Sequence, residues 1–126
     1  MDKREAGRDI IRAMMGDDFL AARDRKRNAF SAVIQDYSDE VCFGTIWSRP
    51  GIDRKQRSIL NIVMLVALGR PAQLRTHVEG ALNHGCTVEE LREILLHTAV
   101  YAGLPAAVEG FKVAEDVLRS KGLLTE

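Results

Sequence analysis

Apolar residues recur along this chain at three- and four-residue intervals, and nowhere with the sustained alternation of a half-buried strand. Residues 3–15 and 18–35 read as amphipathic helices parted by Gly16-Asp17-Asp18. In the second, Phe19, Ala22, Ala29, Phe30 and Val33 alternate with Arg, Asp and Lys. Ser38 is placed to cap a short helix through about Trp47, ended by Arg49-Pro50-Gly51. Asp53 is placed to cap a helix over 54–69 that stops at Gly69. Pro71 suits the first turn of a helix over 71–84, which ends before Gly85. Thr87-Val88-Glu89-Glu90 is a capping box, in which the Thr87 hydroxyl and the Glu90 carboxylate each satisfy one free N–H. The helix it opens runs to about Ala102. Gly103-Leu104-Pro105 breaks it, and a last helix over 105–120 ends at Lys121-Gly122. Six to seven helices, no sheet and short connections predict an antiparallel all-α bundle.

The helix over 54–69 departs from the amphipathic pattern. Its first turns are polar, but from Ile59 to Leu68 only Asn61 is polar. A helix apolar all round must be covered all round. Two placements satisfy that: the centre of the domain, or a subunit interface.

Length and charge narrow the setting. A chain of 126 residues is expected to be one domain, 1–126. Lys and Arg number 18, as do Asp and Glu, so the basic excess of a nucleic-acid binder is absent and self-association is not opposed by net charge. The charged stretch from Met1 to Arg8 has no apolar signal core, and the run Ile62 to Leu68 is too short to span a bilayer. The expectation is a soluble, cytoplasmic protein with no nucleic-acid and no membrane partner.

Candidate chemistry is sparse. His77 and His84 lie two helical turns apart, about 10 Å, too far for one metal ion. His97 has only Glu93 one turn before it, so no metal site is expected. In its apolar stretch His97 reads as a satisfied core or interface histidine. His84, at a helix end, suits the macrodipole there. Cys42 and Cys86 make neither a disulfide framework nor a metal set. Cys42 reads as a small buried hydrophobe, and Cys86 lies beside a helix N-terminus, which leaves a redox role as a weak third reading. No Gly-rich phosphate loop or nucleophile elbow occurs. The unusual segment runs from Phe43 to Gly51. It holds the only tryptophan, Trp47, and a turn with Arg49, followed by Arg54 and Arg57. Arginines there are either solvated or carboxylate clamps, for which the planar guanidinium fork is suited.

The stretch Phe43-Gly44-Thr45-Ile46-Trp47-Ser48-Arg49-Pro50-Gly51-Ile52-Asp53-Arg54-Lys55-Gln56-Arg57-Ser58 resembles the signature of the carboxymuconolactone decarboxylases. Ala67-Leu68-Gly69-Arg70, Leu74 to Asn83 and Leu95 to Ala107 continue the resemblance in order, over roughly residues 5 to 120. It implies the all-α AhpD-like fold, usually a ring-like homohexamer. The same superfamily contains dithiol peroxidases with a Cys-x-x-Cys pair and a histidine four residues on. Counting back from His77, the cysteine positions hold Arg70 and Gln73, and the position of the relaying glutamate holds Ser58. A dithiol peroxidase cannot run without its thiolates, so that branch is disfavoured.

The decarboxylase resemblance implies conversion of 4-carboxymuconolactone to 3-oxoadipate enol-lactone and carbon dioxide, in the protocatechuate branch of aromatic catabolism. The substrate supplies its own electron sink, so no cofactor is expected. Such a site needs cations for the carboxylate that stays, a donor at the lactone oxygen and a proton source near C2. The resemblance points to His77 as the general acid. The plainer role is that His77 only ties helices together. Arg49 and Arg57 are the expected carboxylate and lactone ligands, Trp47 an apolar wall, and Thr45 a further substrate contact. Thr45 is also a departure, because many decarboxylases carry a glutamate there and a threonine cannot relay a proton at neutral pH. A paralogue acting on another small carboxylate, or a non-catalytic oligomeric binding module, is the runner-up.

Overall fold

The computed structural model describes residues 2–126, and among them every regular element is helical. The chain divides into two compact units, 1–54 and 55–126.

The first unit opens with α1 (Lys3–Met15), whose N-cap Asp2 accepts a 2.7 Å hydrogen bond from the Glu5 N–H. Gly7, Ile10, Ile11 and Met14 form its buried stripe at three- and four-residue spacing. The single helix expected over 18–35 is two. Helix α2 (Asp17–Lys26) ends where Arg27 turns extended. Asn28 then folds its side chain back, its Oδ1 accepting from the N–H groups of Phe30 and Ser31 at 3.0 and 3.1 Å. That Asx turn gives the backbone an alternative to the helix. Phe30, assigned to a buried stripe by periodicity, is 93 % exposed, and Val33 is exposed too.

Helix α3 (Ala32–Tyr37) runs without a break into a π-helical segment, Ser38–Trp47. Ser38 therefore lies within continuous helix and caps nothing. The Thr45 hydroxyl donates to the Glu40 carbonyl five residues back at 2.8 Å, and the Ser48 hydroxyl to the Gly44 carbonyl at 2.7 Å. The segment crosses α1 at two glycines. A Cβ on Gly7 would land on the Asp39 carbonyl, and one on Gly44 on the Lys3 carbonyl. Asp39 is buried at this crossing, with Arg23 Nη2 2.9 Å away and Arg8 4.0 Å away.

The second unit holds α4 (Arg54–Leu68), α5 (Pro71–Asn83), α6 (Val88–Tyr101) and α7 (Leu104–Ser120), within a residue or two of the expected bounds. The Thr87 capping box forms as expected, with both bonds at 3.0 Å. Ile62 and Val66 of α4, Leu74 and Val78 of α5, Leu91 and Leu95 of α6, and Ala114 and Val117 of α7 share one core. Helix α4 is not wrapped on all sides in the chain: Leu60, Met64 and Leu68 face outward. No helix among the described residues is long and apolar enough to cross a membrane.

Candidate active site

The second unit concentrates the polar groups that its apolar pattern leaves unexplained. Asn61 sits on α4 amid apolar neighbours, half-buried, and its amide nitrogen lies 3.3 Å from His77 Nδ1 on α5. An amide N–H at that nitrogen can only donate, an arrangement that suits the neutral ring with its proton on Nε2. Burial also pushes the His77 pKa below the ordinary imidazole value, because the charged form loses hydration. Arg57 lies one helical turn before Asn61 on the same helix, also half-buried, and residues at that spacing share a face. Arg57 and Asn61 therefore share one face of α4, and Asn61 meets His77 of α5.

A second imidazole ties the same two helices. His84 terminates α5, and its Nδ1 lies 3.0 Å from the hydroxyl of the fully buried Ser58. This pair reads as packing, with His84 at the C-cap of α5. On α6, His97 is exposed and lies against Tyr101, with ring centroids 5.0 Å apart, so within the chain it is not a core residue. Its neighbour Thr98 faces the core instead. Cys86 is buried, and burial, with Glu90 nearby, pushes its thiol pKa up rather than down. The helix N-terminus beside it does not make it a reactive thiolate. No group of three or more His, Cys, Asp or Glu among the described residues could hold a metal ion.

The remaining expected site residues belong to the first unit. Trp47 is 7 % exposed, packed with Ile10 and Met14, and its ring centroid lies 5.2 Å from that of Phe43. Arg49 is exposed just past the π-helical segment. Thr45 has its hydroxyl proton committed to a backbone carbonyl. Sequence reasoning passed over Asn61 as a site residue. Its signal was visible, a lone amide in a ten-residue apolar run, but only the packing of α4 on α5 shows which side chain it meets.

Comparison with known proteins places these residues in context. The family model for the carboxymuconolactone decarboxylase family matches residues 32–116. The chain is 35 % identical over 120 residues to 4-carboxymuconolactone decarboxylase of Acinetobacter baylyi, covering 95 % of this chain and 90 % of that protein. It is 33 % identical over 114 residues to nitrosuccinic acid decarboxylase of Metarhizium robertsii, covering 90 % of this chain and 80 % of that protein. An uncharacterized 15.0 kDa protein of Paracoccus denitrificans is 35 % identical over 80 residues, covering 62 % of this chain and 60 % of that protein.

Proposed function

The chain belongs to the carboxymuconolactone decarboxylase family, and from that premise we propose that it decarboxylates 4-carboxymuconolactone to 3-oxoadipate enol-lactone. The observation that carries the reading is the Asn61–His77 contact, a half-buried imidazole against an amide, with Arg57 one turn before Asn61 on the same helix. In the proposed reaction the bond from C4 to its carboxylate breaks. Its electron pair moves through the C2=C3 alkene into the lactone carbonyl, carbon dioxide leaves, and C2 of the dienolate takes a proton. The substrate is its own electron sink, so the reading calls for no cofactor.

His77 is the proposed proton donor. Burial keeps its ring neutral at neutral pH before substrate arrives. A substrate with two carboxylates favours the protonated ring, so binding offsets the desolvation and loads the acid where the dienolate forms. Arg57 is the proposed ligand of the carboxylate that stays. Arg49, Thr45 and Trp47 are proposed substrate contacts.

The substrate class has chemical support in the relatives. 4-Carboxymuconolactone and nitrosuccinic acid both present a carboxyl-bearing carbon with a CH2–carboxylate arm and an attached electron-withdrawing group. One uses a conjugated lactone and the other a nitro group. A succinate frame with an internal electron sink is common to both. Thr45 favours a second reading within that class, a different small carboxylate, because its hydroxyl donates to the Glu40 carbonyl and supplies no acid.

The test is a spectrophotometric assay on freshly generated 4-carboxymuconolactone, with nitrosuccinate in parallel. Turnover of the lactone supports the first reading, and turnover of nitrosuccinate alone supports the second. Release of carbon dioxide from neither overturns the first reading and removes nitrosuccinate from the second. Arg57→Ala and Arg49→Ala are each expected to raise KM or lower kcat about tenfold or more, given about 1.5–3 kcal/mol for a charged hydrogen bond. His77→Gln is expected to stay folded and lose turnover.

A further inference from the structure

We propose that Asn61 is the positioning residue of the site. It holds His77 Nδ1 against α4 in both protonation states, so that Nε2 is the atom that delivers the proton. The inference rests on the reading of His77 as proton donor, and it begins from three observations. Asn61 is the one polar residue between Ile59 and Leu68, in a helix whose neighbouring positions pack apolar side chains. Its amide nitrogen is 3.3 Å from His77 Nδ1. Both side chains are half-buried, where water is a poor substitute for a lost partner.

The chemistry explains why an amide suits this position. A proton donor in this reaction cycles between imidazolium and neutral imidazole. Before loading, Nδ1 of the neutral Nε2–H ring has a lone pair and needs a donor. A proton from solvent enters at Nδ1 to give the imidazolium, and delivery of the Nε2 proton to C2 leaves the neutral Nδ1–H ring, which takes its next proton from water at Nε2. In the imidazolium and the Nδ1–H ring alike, Nδ1 carries a proton and needs an acceptor. An asparagine amide offers NH2 on one side and C=O on the other, and half a turn about its terminal bond exchanges them. A leucine offers neither. An aspartate offers only acceptors, so it would favour the charged ring and keep the proton there. With Nδ1 engaged in both states, the ring plane stays fixed through the cycle, and Nε2 meets the dienolate in one geometry. Loss of that orientation costs rate at the chemical step more than binding, since the cations rather than the ring hold the substrate.

The test uses the full-length, isotope-labelled chain at neutral pH. Long-range proton–nitrogen NMR correlation identifies the protonated ring nitrogen, with His77→Gln assigning the signals. Wild type is expected to show Nε2 protonated and Nδ1 bare. Asn61→Leu is expected to give the averaged signals of two exchanging tautomers, and Asn61→Asp a ring protonated on both nitrogens. In steady-state turnover of 4-carboxymuconolactone, both variants are expected to lose about tenfold or more in kcat with KM little changed. An Nδ1-protonated wild-type ring overturns the proposal, as does an Asn61→Leu variant with wild-type tautomer and kcat. Where Asn61→Leu does not fold, the near-isosteric Asn61→Asp carries the same test. An active His77→Gln removes the donor role of His77, and with it the delivery from Nε2. The tautomer shift in Asn61→Leu is read independently of that result.

Discussion

At the scale of single residues, burial of His77 has a consequence for stability that needs no substrate. Its folded pKa lies below the unfolded value of about 6.5, so the unfolded chain binds the extra proton more readily. The stability tied to the neutral ring is complete above about pH 6.5 and is lost as pH falls from there through the lowered folded pKa. Melting temperatures of wild type and His77→Gln, taken from neutral pH down through the mildly acidic range, isolate this share. The wild-type Tm is expected to fall more steeply than that of the variant below about pH 6.5. Parallel curves would remove His77 as a buried neutral base. The residue scale is also where the sequence was least sufficient. Three histidines were visible as candidates, but their roles depended on what packs beside them. Asn61 at Nδ1, Ser58 against His84 and Tyr101 against His97 separate the three, and each partner lies on another helix or on a face that periodicity alone left ambiguous.

At the scale of elements, most boundaries were legible because local chemistry sets them. Asp2 and Thr87 cap, Pro71 opens a helix, and Gly69 and Gly85 close two with φ of 68° and 92°. The misplaced boundary, within 18–35, fell where a polar side chain competes with the helix through an Asx turn. The π-helical segment Ser38–Trp47 was not legible either, since a helix wound to i→i+5 bonds carries no period distinct enough to separate from the α pattern. Packing shows its constraint instead. Gly7 and Gly44 let α1 and the segment touch backbone to backbone. Gly44→Ala is therefore expected to destabilise the protein by about 3 kcal/mol, since neither carbonyl in its way can yield as a flexible side chain would. Gly51→Ala, with open space around its Cβ, is expected to stay within about 0.5 kcal/mol. Urea midpoints measure both. Equal midpoints would mean that the crossing relaxes freely and that the segment is not pinned by it.

At the scale of the whole molecule, the chain leaves apolar surface that its own core does not use. On α4, Leu60, Met64 and Leu68 repeat at four-residue steps and all face outward. On α6, Val100 and Tyr101 are 76 % and 80 % exposed. The sequence offered two placements for the over-apolar helix; Ile62 and Val66 lie in the core of the second unit, and Leu60, Met64 and Leu68 form an outward face. Each large apolar side chain removed from water contributes about 1.5–3 kcal/mol, and the zero net charge adds no repulsion between copies. Homo-oligomerisation, with the hexamer implied by the family resemblance as the expected form, follows as a prediction. Sedimentation at micromolar concentration is expected to give a mass several times the 14.0 kDa of one chain. Leu68→Glu and Val100→Glu lie at positions that are exposed in the chain and carry no part of its core. Combined, they are expected to shift the protein toward monomer while its helical circular dichroism persists, because two charges cannot be buried there without partners. A wild-type protein sedimenting at 14.0 kDa would leave α4 an exposed apolar helix with no cover, and the oligomer would have to be abandoned.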